Sequence, residues 1–261
     1  MTGASSGIGE AIAKDLVKEG LQVIGIARRK DRLESLAASL KDSKGKFHPF
    51  VGDVSKESDV LDAFKFAKTI GPVHILVNNA GIFRINSLTD GDTEKWRQVF
   101  DVNVLGLCVA TREAVRDMKN NSVDGHIVHI NSIGGHKVIG GESMNVYCAS
   151  KFAVTALTET LRLELNSLGS KIKVSSVSPG FVKTEIGEAA GWPKVQYEQA
   201  IKTSPHLESQ DISDAVLYVL GTPPHVQVHE LIIKPVGEKP RTPLPTRNST
   251  LPKKTSTSSS T

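Results

Sequence analysis

Apolar positions along the chain switch repeatedly between a helical and a strand period. In IGEAIAKDLVK, Ile8, Ile12 and Leu16 recur at helical spacing, and Gly20 closes the segment. LQVIGIA follows as a short strand. Residues 31–41 read as a helix, and FHPFVGDV as a strand ending near Asp53. Residues 56–70 form the next predicted helix, with Phe64 and Ala67 inward, and Gly71-Pro72 breaks it. VHILVNNAG is a strongly apolar strand. A long helix lies within 93–119, HIVHINS is a strand, and 148–168 is a helix. KIKVSSVSPG is a strand closing in a Pro-Gly turn. Residues 185–210 read as loop, 211–220 as a helix and HELIIKP as a last strand. Strands alternating with helices of this length imply βα units and a mainly parallel sheet with helices on both faces. No fixed-period repeat is present, and no apolar run approaches the length of a membrane span.

Charge changes this picture only at one end. The net charge of +4 resides in residues 238–261, which hold five basic and one acidic residue. The remaining 27 basic and 27 acidic residues balance, which argues against a nucleic-acid-binding face. The same 24 residues contain eleven Ser or Thr and four Pro, so a disordered tail is expected after a domain over 1–237. Cys108 and Cys148 do not suggest a disulfide framework, and no signal peptide is read at Met1; a reducing, cytoplasmic setting is the simpler expectation. The histidines show no paired ligand spacing, so no metal is expected.

The candidate chemistry starts at TGASSGIG. Gly3, Gly7 and Gly9 are spaced by four and two, unlike GxGxxG, and an ordinary glycine-rich loop is one reading. The other is a pyrophosphate turn, because the segment runs straight into an amphipathic helix whose first N–H groups lack intrahelical partners. The next strand ends in Ala27-Arg28-Arg29. A carboxylate there would hold both ribose hydroxyls of NAD. Two guanidinium groups favour the 2′-phosphate of NADP instead, although a solvated basic run at a helix start has the same composition. Asp53 either accepts from an adenine amino group or caps its turn. Asn78-Asn79-Ala80-Gly81 stands where a strand leaves the sheet, with small residues that admit a cofactor.

Three further places carry reactive groups. Asn103 lies inside the long helix, where asparagine competes for backbone hydrogen bonds, and it predicts a kink or a held water. Ser132 follows the strand HIVHIN, at the end where open sheets place their sites. Tyr147 and Lys151 are four apart at a helix start and share one face. Reduction of a carbonyl by hydride creates an alkoxide that needs a proton. Tyr147 can supply it, Lys151 can favour the phenolate, and Ser132 can polarise the oxygen.

Together, TGASSGIG, Asp53-Val54, NNAG, Asn103, Ser132, Tyr147-x-x-x-Lys151 and Pro179-Gly180 resemble the short-chain dehydrogenase/reductase family over roughly residues 2–236. The resemblance implies one doubly wound Rossmann-type domain, normally of about seven parallel strands. It implies a pyrophosphate turn at Gly3, Ser5, Gly7, Ile8 and Gly9, and a 2′-phosphate contact at Arg28 supported by Arg29. Asp53 and Val54 then border adenine, and Asn79, Ala80 and Gly81 the cofactor's flank. Pro179, Gly180, Val182 and Thr184 belong to the nicotinamide end, with Ile82 beside the ring. Catalysis falls to Asn103, Ser132, Tyr147 and Lys151, with Lys151 also on the nicotinamide ribose and Asn103 holding a water beside it.

A narrower resemblance, in DVNVLGLCVATREA, DGHIVHINSIGGHKV and YCASKFAVTALTETLRLEL, is to insect NADP-dependent farnesol dehydrogenases and a related vertebrate keto-steroid reductase. It implies a small hydrophobic alcohol or ketone as substrate. His136 either lines the substrate mouth or is an exposed loop residue. Ile186, Trp192 and Tyr197 either line the site or pack the loop onto the body. The helices within 93–119 and 148–168 imply a homodimer or homotetramer by the same resemblance. One feature departs from it: only Met1 precedes Thr2-Gly3, so the central first strand is expected to be missing. About five hydrogen bonds at roughly 1 kcal/mol each would go unmade, against a typical stability of about 5–15 kcal/mol. A damaged fragment acting only in binding or regulation is therefore the alternative to an active enzyme.

Overall fold

The computed structural model describes residues 1–139 and 144–238. Among these, six strands form the sheet: β1 Gln22–Ala27, β2 Lys46–Val51, β3 Ile75–Asn78, β4 His126–Ile130, β5 Lys173–Pro179 and β6 Glu230–Ile233. Every pairing is parallel, in a two-stranded ladder β1–β2 and a four-stranded ladder β3–β4–β5–β6. Residues 1–3 lie between the ladders. Thr2 bridges to Ile26 of β1, and its N–H donates to the Val77 carbonyl of β3 at 3.0 Å. The Gly3 N–H donates to the Ile26 carbonyl at 2.8 Å. The expected parallel sheet, without a full strand ahead of the glycine turn, is thus observed.

Alternation along the strands sorts the core into two layers. On one face Val23, Ala27, Val77, Val128 and Val177 pack against α1 (Gly7–Lys18), α2 (Lys30–Ser39) and α9 (Ser209–Leu220). On the other, Ile26, Leu76, Ile127 and Val174 meet α3 (Glu57–Lys68), α5 (Gly106–Asn120) and α6 (Asn145–Ser167). Helices on both faces of a parallel sheet make the doubly wound arrangement expected from the period changes. Asp15 joins α1 to α9, accepting from the Ser213 hydroxyl at 2.7 Å and from the Gln210 amide at 2.5 Å.

Two predicted elements need correction. The long helix within 93–119 is α4 (Thr93–Phe100), a π-helical turn at Asp101–Leu105, then α5. The interruption is centred on Asn103, the residue expected to compete for the helix's backbone hydrogen bonds. Residues 185–210 are not loop but carry α7 (Ile186–Ala189) and α8 (Lys194–Thr203). Gly191, at φ +90°, turns the corner between them, and Pro193 stands at the N-cap of α8. Only Tyr197 of α8 is buried, so the apolar period is too sparse to announce a helix. The tail predicted from residue 238 onward falls, from residue 239, outside the described residues. Among the described residues, no helix is long and apolar enough to cross a membrane.

Candidate active site

A cavity of about 750 Å³ opens at the carboxyl ends of the strands. That is where a doubly wound sheet leaves a crevice. Every site residue expected from the sequence lines it except Asn103, which stands directly behind.

At one end the glycine turn is pinned to the end of β3. The Asn79 amide donates to the Thr2 carbonyl at 3.1 Å and to the Gly3 carbonyl at 3.0 Å. The Thr2 hydroxyl accepts from the backbone of Asn79 at 3.1 Å and of Ala80 at 3.0 Å. Gly3 and Gly7 adopt φ +70° and +56°, a region that favours glycine. A Cβ on Gly9 would stand 2.1 Å from the Gly3 carbonyl oxygen, so no larger residue fits. Ser6, the N-cap of α1, makes no side-chain cap, which leaves the first turn of the helix facing the cavity. These are the properties of an anion cradle, and they fit a dinucleotide's pyrophosphate.

The neighbouring cations are arranged unequally. Arg29 reaches back to the turn, donating to the Ser5 hydroxyl from Nε at 3.2 Å and Nη2 at 3.0 Å, and to the Ser6 hydroxyl at 2.5 Å. Arg28 is more exposed and lies 3.9 Å from Asp53. Asp53 accepts from the Ser55 backbone at 3.0 Å and hydroxyl at 2.8 Å, so it caps its own turn. Val54 is buried at the same edge of the cavity.

The other end gathers the reactive groups. Ser132 lies two residues past the end of β4 and caps a short 3₁₀ turn, Ile133–Gly135, through the Gly134 N–H at 3.0 Å. α6 begins at Asn145, earlier than the sequence suggested, which puts Tyr147 in its first turn and Lys151 one turn later. Asn145 is the anchor: its amide donates to the carbonyls of Arg84 at 3.1 Å and Asn86 at 3.0 Å. The Tyr147 ring meets Phe83 edge-on, with centroids 5.9 Å apart. Burial pushes the Tyr147 phenol up to about 12, against a hydrogen bond with Ser132 that acts the other way. Lys151 is buried and donates to the Ile130 carbonyl at 2.9 Å; burial lowers it to about 8. In this structure desolvation, rather than the nearby ammonium, therefore dominates the phenol.

Asn103 is 2% exposed and its amide is fully engaged. Its Oδ1 accepts from the Ile82 N–H at 2.8 Å, and its Nδ2 donates to the Ile82 carbonyl at 2.9 Å and the Ser150 hydroxyl at 3.0 Å. It ties the loop after β3 to α6.

Gly180 is fixed by its N–H to the Ile233 carbonyl at 2.7 Å, and Pro179 ends β5. Val182 bridges to Leu207, and the Thr184 carbonyl accepts from the Tyr197 hydroxyl at 2.8 Å. Tyr197 is buried and packs on Trp192 at 5.4 Å, while both still border the cavity with Ile186, so lining and packing coexist. His136 does not line the mouth. It turns to the Ser178 hydroxyl at 3.0 Å and lies 3.5 Å from Glu230, because the 3₁₀ turn rotates it toward β5 and β6. Phe83, Arg84, Asn145 and Glu185 are site residues that the sequence did not announce. Arg84 donates to the Ala189 carbonyl at 3.1 Å, joining the loop after β3 to α7. Among them only Glu185 had a signal, its position beside Thr184.

Residues 1–192 match a family model described as short chain dehydrogenase. The chain belongs to the short-chain dehydrogenase family. Within this family it is 54% identical over 244 residues to a farnesol dehydrogenase of Aedes aegypti, covering 92% of this chain and 96% of that one. It is 43% identical over 245 residues to dehydrogenase/reductase SDR family member 11 of Bos taurus, covering 91% and 95%. Among solved structures it resembles the closed form of a serine dehydrogenase complexed with NADP+, at a TM-score of 0.83 and 28% identity, covering 95% of this chain and 98% of that one. An alcohol dehydrogenase from Thermococcus sibiricus complexed with 5-hydroxy-NADP gives a TM-score of 0.80 at 28% identity, over 93% and 97%. As a short-chain dehydrogenase, the protein is an oxidoreductase.

Proposed function

We propose that the protein interconverts a hydrophobic alcohol and the corresponding carbonyl compound with NADP(H) as cofactor. The observation that carries this reading is one cavity with a glycine turn and two arginines at one end, and Ser132, Tyr147 and Lys151 at the other. Ala27 leaves the ribose edge without a carboxylate, and the guanidinium groups of Arg28 and Arg29 suit a 2′-phosphate. The NADP complexes of the solved relatives support the same choice. The first turn of α1 and the backbone of Gly3–Gly9 hold the pyrophosphate. Ile82, Val182 and Thr184 border the nicotinamide.

Bound NADPH supplies the hydride that a carbonyl substrate accepts. The Ser132 hydroxyl donates to the substrate oxygen and polarises it. Tyr147, protonated at neutral pH, gives its proton to that oxygen as negative charge develops. Lys151, one helical turn away, offsets the charge left on the phenolate. In alcohol oxidation the same tyrosinate takes the proton back. Asn103 acts through the backbone: it holds Ile82 and, through Ser150, the first turns of α6.

The substrate wall beyond Tyr147 is mostly apolar, with Phe83, Ile139, Met144, Ile186 and Trp192. Together with the mosquito relative, this supports a farnesol-like substrate. Pairing through α4–α6 is part of the reading, since Leu105, Phe152 and Leu163 stand exposed there; a monomer in sedimentation at micromolar concentration would contradict it. The test of function is NADP(H)-coupled turnover of farnesol, a hydroxysteroid and a small ketone. A higher kcat/KM for farnesol supports the reading. Equal values remove the farnesol preference. Tight NADP+ binding without turnover of any would leave only a binding or regulatory role.

A further inference from the structure

Glu185 reaches across the cofactor cleft to Arg29, the N-cap of α2, and Arg32 in its first turn. It comes from the segment that carries Thr184 and begins α7, more than 150 residues along the chain from its partners. One carboxylate oxygen lies 3.0 Å from Arg29 Nη1, and both accept from Arg32 Nη1, at 2.7 and 2.6 Å. Arg29 is at the same time bonded to Ser5 and Ser6 of the glycine turn. The carboxylate and the turn's hydroxyls therefore share one guanidinium, inside the cavity that both elements line. The Arg32 and Arg29 guanidinium groups hold the Glu185 carboxyl below the usual carboxylate range, so it is an anion at neutral pH.

We propose that Glu185 is a resident stand-in for the 2′-phosphate: it occupies Arg29, together with Arg32, at the adenosine end until NADP(H) displaces it. The inference rests on the assignment of that phosphate to Arg28 and Arg29 under the proposed function, of which Glu185 holds Arg29. A carboxylate and a phosphate are both anions that pair with a guanidinium fork. They repel each other when placed on the same one. A 2′-phosphate carries about −1.5 to −2 charges against the single charge of Glu185, and it wins the exchange. NAD+ has no group to compete and leaves the pair intact.

The exchange reaches the reactive end of the cleft through the backbone. Glu185 follows Thr184, whose carbonyl is fixed by the Tyr197 hydroxyl. The Thr184 methyl packs on the glycine turn, 3.2 Å from where a Gly7 Cβ would stand. Arg84 holds the far end of α7 by the Ala189 carbonyl. Releasing Glu185 leaves these three ties in place, so the segment loosens beside Thr184 without detaching. Glu185 thereby sets both the cost of binding NADP(H) and its selectivity over NAD(H).

The test is calorimetric titration of NADP+ and NAD+ into the wild type and Glu185→Gln, with the melting temperature as a folding control. Glu185 is half-exposed, and the amide keeps its volume, so the variant should melt normally. NADP+ should bind the variant about fivefold more tightly, a change of about 1 kcal/mol. NAD+ affinity should stay within about twofold. Amide exchange at residues 184–190 should be faster in the cofactor-free variant than in the wild type. Unchanged or weaker NADP+ binding overturns the proposal, as does an equal gain for both nucleotides. If the wild type itself shows no preference for NADP+ over NAD+, the assignment of the phosphate site fails first, and the proposal with it.

Discussion

Replacing Asn103 by alanine removes three hydrogen bonds from one buried side chain. The Ile82 N–H and C=O lose their partners, and the Ser150 hydroxyl loses a donor. Ser150 keeps its 2.7 Å bond to the Tyr147 carbonyl, so its loss is the smallest of the three. The two Ile82 groups are only partly buried, and water can reach them after the change. An unsatisfied buried group costs about 1–3 kcal/mol, and a partly buried one less. The sum is about 2–4 kcal/mol. For a chain of this size that lowers Tm by roughly 4–16 °C. Calorimetry and urea unfolding measure it, with Asn103→Asp as the comparison. Aspartate still accepts from the Ile82 N–H but cannot donate to its carbonyl, so it should also destabilise. Because Ile82 lines the cavity and Ser150 holds the Tyr147 carbonyl, kcat should fall about tenfold or more. A stability loss below about 0.5 kcal/mol with normal kcat would refute the anchoring role.

Acid should destabilise the fold through two buried histidines of β4. Burial, then the nearby Lys151, lowers His129 to about 3, and burial, then Lys173, lowers His126 to about 4. The unfolded chain binds more protons below pH 6.5. Stability is therefore full above that value and falls as pH drops toward the folded pKa values. At pH 4.5, His129 alone accounts for on the order of 3 kcal/mol; urea unfolding of His129→Gln should show a flatter pH dependence, and an unchanged slope would contradict the assignment. With Lys151 at about 8, kcat/KM for carbonyl reduction should decline above that pH as the ammonium is lost, and a flat profile to about pH 9.5 would contradict its charged role. Gly9→Ala would put a methyl 2.1 Å from the Gly3 carbonyl oxygen. NADP+ affinity in a fluorescence titration should fall by more than about tenfold; an unchanged Kd would remove the cradle.

The parts of this fold that alternate regularly were readable from the chain. Val23, Ala27, Val128 and Val177 announce one sheet face, and Ile12 and Leu16 the helix that covers it. The glycine turn, Ser132 and the Tyr147–Lys151 pair were readable because their spacing is a local constraint. What escaped depends on contacts between distant segments. α8 carries one buried residue, Tyr197, whose partner is the Thr184 carbonyl, and no local period reports that. Asn103 signalled an interrupted helix, but not that its amide would be spent on Ile82 and Ser150. His136 sits beside the substrate loop in sequence and points away from it because Ser178 and Glu230 are nearer. Phe83 and Arg84 belong to no motif; the fold alone brings them to Tyr147 and α7.

The central claim is that Tyr147 moves the proton in an NADP(H)-dependent reaction. Tyr147→Phe keeps the ring that packs on Phe83 and removes only the hydroxyl. Single-turnover reduction by NADPH, with NADP+ affinity measured on the same sample, tests it most directly. Turnover should fall by about 10²–10⁴ while the Kd for NADP+ stays within about threefold. Turnover at the wild-type rate, with NADP+ still bound, would contradict the account.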